Sequence, residues 1–587
     1  MLPRIQTSQQ QGNGRRFMAS LKTILRSDNA LCCLFLIAVT GLGNFVEIGR
    51  FTLYADDWAY LGGAIEYPQS FATYWHSVVP NADGRPLQLG LIDLTGEIMY
   101  RTGSLIPAYL FLFLLTVLSV LVLWRVLLLR FSTPVAVTAA AIYAISPLVS
   151  IRPFLNGIAS PFAALALLLA CLLHARGRWL AGYLVSLLVL ASYELMFPLF
   201  VLLPVVLRPL RRRRDLLGLA AHVLICAVLL LVYAWLKDRY GQERLTAATA
   251  GHGRLQLGLD IIRTALVSME RALIVSLDLP LWAQRIGTDG LGAAWVALGF
   301  VGFALMLYRI EAVPPTPARR SPAEDWQMIG LLLLATLSAY LLSYFGPERG
   351  DISVFGRVSR FHSAACLPLS ILAALALVAL LRVARPGWPR AALIALEAAY
   401  LGLMFGFSVS HQDDFAAQTE RQRRLVDRLV ADHPLMDPKA TFVVQVSSLS
   451  WKAEPSIEYT DQHSYYHMLG DLFDLPPRGY TQMGPVVRVV LPYDWSRVFH
   501  WGDDGKIHWP AGTWPPLPEE AEHIWFYRYP LGGAPVPIPG PILIDGRDIA
   551  HEGPDGTEGM IDLRTARKRP LYHILFGDRP EGAAPSP

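Results

Sequence analysis

The amino-acid sequence predicts an α-helical polytopic membrane protein of about eleven membrane segments, followed by a C-terminal α/β or mostly β domain outside the membrane. Three observations carry this. The 587 residues are 53% hydrophobic and only 17% charged, with a positive mean hydropathy, which is too apolar for a string of soluble domains. Apolar runs of about 20 residues, the length that crosses a bilayer core, recur from Leu31 to Ser410. After Ser410 the chain turns to a charged helical pattern, and then to short runs broken by Pro, Gly and Trp. The net charge of +4 says little about partners and gives no reason to expect nucleic acid, because the basic residues fall in short loops and report topology.

The elements follow in order. Residues 1–30 form a basic N-terminus, expected in the cytosol. Arg15, Arg16, Lys22 and Arg26 precede a first apolar run without a small-residue cleavage site, so helix one (31–50) reads as an anchor. Loop 51–104 is then external. Helix two (105–124) returns to Arg125 and Arg130, and helices three (134–151) and four (157–173) form a hairpin ending at His174, Arg176 and Arg178. Between that cluster and "RPLRRRR" (Arg208–Arg214) lies Trp179–Leu207, too short for two full spans yet with two cytosolic ends. Glu194 and Pro198 near its middle favour two half-depth helices broken at "SYELMFP"; one long tilted helix is the alternative. Helix seven covers 216–236. The segment 237–290 is expected outside, with amphipathic stretches such as Leu257–Leu273. Helices eight (291–308), nine (327–345), ten (363–381) and eleven (391–410) complete a transmembrane domain over 31–410, with basic loops at Arg309, Arg319 and Arg320 and at Arg382, Arg385 and Arg390. The five cysteines all lie in apolar runs and imply no disulfide framework.

The external domain is expected over 411–575, with 576–587 a Pro- and Gly-rich flexible tail. "DDFAAQTERQRRLVDRLVADHP" reads as its opening helix, stopped by Pro434, and "TFVVQVSS" as a strand. His463 and His467 have the i, i+4 spacing that could hold zinc, but with no third ligand evident a surface pair is the plainer reading. The tail tryptophans, at 451, 495, 501, 509, 514 and 525, suit either sugar stacking or core packing.

Three motifs in the helical half can carry chemistry. "YADDWAY" (Tyr54–Tyr60) places Asp56 and Asp57 just beyond helix one. Adjacent carboxylates repel and hold their protons more tightly near apolar surroundings; such a pair serves as a general base, a metal ligand or a helix N-cap. "NADGRPLQLGLIDL" follows, where Gly84, Arg85 and Pro86 make a bend and Arg85 offers a cation. The external loop "GPERGDISVFGRVSRFH" supplies Arg349, Arg357 and Arg360, more arginine than the positive-inside tendency allows there. These suit phosphate binding, or interfacial anchoring and pairing with Glu348 and Asp351. Glu194 could face a catalytic cavity or pair with an arginine such as Arg152.

Together, "DD" at Asp56–Asp57 and "GRPL" at Gly84–Leu87 resemble the first external loop of the GT-C class of polytopic glycosyltransferases, which includes protein mannosyltransferases and lipid A aminoarabinose transferases. The chain departs from that pattern with Asp57 where many relatives have Glu and one Pro where they often have two. No "WWxDxG" signature is present, which argues against an oligosaccharyltransferase. The resemblance implies a polyprenyl-phosphate sugar as donor and a glycolipid, polysaccharide or protein as external acceptor. It implies Asp56 as general base, Asp57 orienting the acceptor or binding a divalent metal, and arginines at the lipid phosphate. The expected location is a bacterial inner membrane with the catalytic side and tail periplasmic. A transporter or flippase of a lipid-linked sugar, or a membrane scaffold with an external binding module, are the alternatives.

Overall fold

A computed structural model describes residues 28–54, 57–62, 85–150, 152–207, 213–239, 253–311, 322–345 and 356–436, with short tail segments between 441 and 549 and the stretch 561–576. The helices are α1 (Asp28–Phe45), α2 (Pro86–Thr102), α3 (Ile106–Leu127), α4 (Thr133–Ile145), α5 (Ala159–Ala175), α6 (Trp179–Tyr193), α7 (Phe197–Leu207), α8 (Arg213–Arg239), α9 (Arg254–Ser276), α10 (Leu279–Thr288), α11 (Gly292–Glu311), α12 (Pro322–Leu341), α13 (Ser363–Val383), α14 (Trp388–Asp432) and α15 (Pro570–Phe576). Among the described residues nine helical stretches are long and apolar enough to cross a membrane; α4 is shorter, and the α6–α7 stretch counts as one of the nine. Taken with α4 and with α6 and α7 separated, these match the segments the sequence predicts. The chain is a polytopic helical membrane protein.

Trp179–Leu207 breaks where the sequence places the break. A 3₁₀ turn, Glu194–Met196, separates α6 from α7. Phe200 of α7 packs against both Tyr183 of α6 and His174 of α5, at 5.9 and 6.1 Å between ring centroids. The His222 ring of α8 bridges Tyr183 Oη (2.9 Å) and the Phe200 carbonyl (3.0 Å). A continuous helix would carry Phe200 about 25 Å from Tyr183. The two half-helices therefore double back, and the break sits at the end of the bundle that carries residues 51–62. This is the loop end; the opposite end holds the Arg309–Asp28 pair.

Two features go beyond the sequence reading. The first concerns 237–290. The Tyr400 hydroxyl donates to the carbonyl of Ser276, the last residue of α9, at 2.9 Å. Tyr400 lies about twelve residues, roughly 18 Å, along α14 from Trp388. Trp282 of α10 packs on Tyr400 and Phe407, and Arg285 reaches Asp414. The α9–α10 turn thus lies level with the middle of the apolar stretch of α14, and α10 climbs from there to the loop end. Its tip, "LIVSLDLPLW", is apolar enough to do so, and Leu277 at the tip is 68% exposed.

The second concerns the boundary at Ser410. Helix α14 runs unbroken for 45 residues through it, because no proline interrupts the pattern before Pro434. Its apolar half packs tightly on α11. A Cβ on Gly402 would come within 2.8 Å of the Phe300 backbone nitrogen, and one on Gly406 within 2.4 Å of Val296 Cγ2, so only glycine admits this approach. In its charged half, Phe415, Gln418, Gln422, Leu425, Val426 and Leu429 are buried.

In the tail, Thr441–Val446 pairs in parallel with Val486–Val490 and with Ile524–Tyr529, and the latter pairs antiparallel with Val536–Pro537. Helix α15 returns to α14, where Tyr572 Oη donates to Asp427 Oδ1 at 3.0 Å.

Candidate functional site

The acidic loop is built around a buried turn. The Asp57 N–H donates to the Tyr54 carbonyl at 2.8 Å, and the Asp57 carboxylate accepts the Tyr54 N–H at 3.2 Å. The same carboxylate accepts the Leu155 N–H (3.2 Å) and the Asn156 N–H (2.6 Å). Asp57 is fully buried. These last two donors open the 3₁₀ turn Asn156–Ile158 that feeds α5, where backbone N–H groups have no partner of their own. Asp57 therefore caps a helix nearly a hundred residues away in sequence, rather than the π-type turn Trp58–Gly62 that follows it. Asp56, its neighbour, lies outside the described residues.

An aromatic nest fixes this turn. The Tyr54 ring meets Phe415 at 4.9 Å and Phe154 at 5.8 Å between centroids, and its hydroxyl donates to the Phe415 carbonyl at 3.0 Å. Burial pushes the Tyr54 phenol above its ordinary range, so it stays a neutral donor. Gln422 donates to the Leu53 carbonyl (3.2 Å), Tyr109 to the Thr52 carbonyl (2.6 Å), and Gln412 to the Leu42 carbonyl (3.0 Å). The charged half of α14 is thus a wall of the candidate site.

Arg85 and Glu194 come together. Arg85 precedes α2, with Pro86 in the first turn where a missing N–H costs nothing. Its Nε and Nη2 grip the two Glu194 oxygens at 2.7 and 2.6 Å, a two-pronged pair, and Lys237 Nζ reaches Glu194 Oε1 at 2.8 Å. The expected alternative partner, Arg152, is elsewhere. Burial alone would lower the Arg85 pKa; the Glu194 carboxylate outweighs it and raises the guanidinium above its usual value. The Arg85 guanidinium also lies 5.8 Å from the Tyr193 ring centre. Glu194 thus ties α2, the α6–α7 break and the end of α8 together. Lys237 escaped the sequence reading; its signal was a lone lysine closing the apolar run of α8.

Arg360 sits in a 3₁₀ turn, Gly356–His362, with its guanidinium 5.6 Å from the Phe361 ring centre and its carbonyl accepting the Tyr193 hydroxyl at 3.0 Å. That bond places the turn beside the Glu194 cluster. Arg349 and the Arg357 side chain lie outside the described residues, as do His463 and His467 and all the tail tryptophans except Trp501 and Trp525. Among the described residues no group of three His, Cys, Asp or Glu side chains is placed to hold a metal ion.

A second ionic cluster, unforeseen in the sequence, locks α10 to α14. Arg285 Nη2 contacts Asp414 Oδ1 at 2.5 Å and the Ser410 carbonyl at 2.9 Å, His411 Nδ1 lies 3.1 Å from Asp414, and Ser410 Oγ donates to Asp289 at 2.7 Å.

No family model and no curated protein matches the chain. Among solved structures it is similar to the crystal structure of the Archaeoglobus fulgidus oligosaccharyltransferase in complex with Zn and sulfate, at 16% identity and a TM-score of 0.33, over 76% of this chain and 61% of that one. The chain thus spans about three fifths of the length of that protein.

Proposed function

We propose that this chain is a GT-C-type glycosyltransferase, moving a sugar from a polyprenyl-phosphate carrier to a glycolipid, polysaccharide or protein acceptor at the external face of a bacterial inner membrane. The supporting observation is the anchoring of the "DD" loop. Three backbone N–H groups hold Asp57, and an aromatic nest holds Tyr54, the described residues that flank Asp56 in sequence. A buried carboxylate is costly unless fully paired, and these three N–H groups pair it.

In this reading the acceptor hydroxyl attacks the anomeric carbon. The new C–O bond forms as the bond to the lipid phosphate breaks, the electron pair leaves with the phosphate, and the hydroxyl proton passes to Asp56. Asp57 is a positioning residue whose carboxylate is already committed to backbone donors, so any divalent metal would need other ligands. Arg357 and Arg360, and third Arg349, are the cations proposed for the leaving phosphate. Arg85 and Glu194 brace the wall beside them.

The test is incubation of the purified full chain with labelled polyprenyl-phosphate sugars. Release of the lipid carrier that disappears in Asp56→Asn supports the enzyme. Transfer of intact sugar-lipid across a proteoliposome, without carrier release, would make it a transporter instead.

A further inference from the structure

Arg152 precedes the turn into α5 at the loop end, and it is the observation the proposed chemistry leaves unused. Its Nη1 donates to Asn44 Oδ1 at 3.1 Å and to the Ala144 carbonyl, and its Nη2 donates to the Tyr143 carbonyl. All three acceptors are neutral. Two are carbonyls in the last turn of α4, whose C-terminus carries about half a negative charge, short of a full counter-ion. A guanidinium has five N–H groups. The described contacts use three, and leave the edge formed by Nε–H and the second Nη2–H with no acceptor among the described residues. In Arg85 that same edge holds the Glu194 carboxylate. Burial pulls the Arg152 pKa down, the direction expected of a cation without a full counter-charge.

Arg152 also lines two cavities. One is walled by hydroxyl residues, Thr116, Ser119, Tyr143, Ser160 and Ser363, the other by Ser146, Ser150 and His411 among others. The Ser160 hydroxyl has no partner among the described residues. Ser363 opens α13, directly after the Arg360 turn. The Thr116, Ser119 and Ser363 hydroxyls donate to the Leu112, Thr116 and Arg360 carbonyls, so Ser160 is the uncommitted hydroxyl of that wall. A planar two-donor edge beside such a hydroxyl is the chemistry that takes the oxygens of one oxyanion.

We propose that Arg152 and Ser160 form a phosphate subsite, in which two phosphate oxygens meet the Nε–Nη2 edge and the hydroxyl-lined cavity. The proposal rests on the glycosyltransferase reading only for the source of that phosphate, the headgroup of the donor lipid; the shared chemistry is a phosphate anion, lipid-borne or free.

Binding of radiolabelled farnesyl phosphate and of inorganic phosphate to the purified full chain, by equilibrium dialysis, tests it without reference to turnover. Arg152→Gln should weaken binding by about tenfold or more, the scale of one or two charge-assisted hydrogen bonds. Arg152→Lys should restore it only in part. Because Arg152 also caps α4 and Arg152→Gln could fail to fold, Ser160→Leu provides the second arm: it fills the cavity while leaving the three capping bonds intact, and should weaken binding by a similar factor. Arg152-dependent capture of inorganic phosphate identifies a free-anion site; capture of farnesyl phosphate alone identifies a lipid headgroup site. Absence of binding by the parent, or Ser160→Leu and any folded Arg152→Gln binding like the parent, overturns the proposal. Arg152-dependent binding in a protein that turns over no sugar-lipid would sink the enzyme reading and leave this one standing.

Discussion

Arg85 and Arg152 sit at the same end of the bundle, both buried, and their charges are handled in opposite ways. Arg85 closes its planar edge on a carboxylate, and Lys237 shares that carboxylate. Arg152 spends its other edge on helix-end carbonyls and an amide oxygen. Burial acts on both in the same direction; Glu194 reverses the outcome for Arg85 and nothing described reverses it for Arg152. One arginine is a bracket and the other is a candidate for binding, and the difference lies in a single carboxylate rather than in residue type.

The sharpest way to break the comparison is to empty the filled fork. Glu194→Gln keeps the shape but leaves Arg85 and Lys237 without a counter-charge. It should cost about 3–5 kcal/mol of stability, as breaking a buried pair does. The reading is a large drop in thermal unfolding temperature in detergent, and a parent-like value would mean the bracket carries no load. Asp57→Asn should come next. Its amide would point a donor at one of three backbone N–H groups, for a loss of about 3 kcal/mol, seen as a lower unfolding temperature and faster proteolysis of the full chain. If Asp57→Asn unfolds like the parent, Asp57 is not the cap described here.

Asp56→Asn should separate chemistry from folding. Turnover should fall by about 10²-fold or more, with the unfolding temperature unchanged. Equal activity in Asp56→Asn and the parent would withdraw the general base. The smallest effect belongs to Arg85→Lys, which keeps the charge and loses one prong of the pair. About 1 kcal/mol is expected, read as a modest shift in unfolding temperature; a loss as large as that of Glu194→Gln would mean that geometry, not charge, holds the bracket.

Much of the membrane half was legible in the sequence. Hydropathy marked the spans, and Pro198 with Glu194 marked the break in Trp179–Leu207, because a proline and a charge in an apolar run are local signals. The partners were not legible. Glu194 meets residues 109 and 43 positions away, and Asp57 caps Leu155 and Asn156 at separations of 98 and 99. Nothing local distinguishes a carboxylate that caps a distant helix from one that waits for a substrate. The continuity of α14 through Ser410 was not legible for a related reason: a shift from apolar to charged residues along one helix does not show where that helix ends. The level of the α9–α10 turn beside α14 was not legible, because an amphipathic pattern fixes which face of a helix is apolar and not its height along a neighbour.

The unbroken α14 has a consequence for where the candidate site stands. At 45 residues it is about 68 Å long, more than twice the roughly 30 Å hydrocarbon layer of a bilayer. Tyr54 is fastened to Phe415 on this rod, with no flexible linker between the greasy stretch and the fastening point. Lipid thickness acts on the greasy stretch through hydrophobic matching and tilt. The level of Tyr54 and Asp57 is therefore tied to the apolar stretch of α14 and, through it, to the membrane in which the protein is placed. In thin and thick lipid vesicles the Tyr54 and Asp57 anchors are expected at different distances from the headgroup plane.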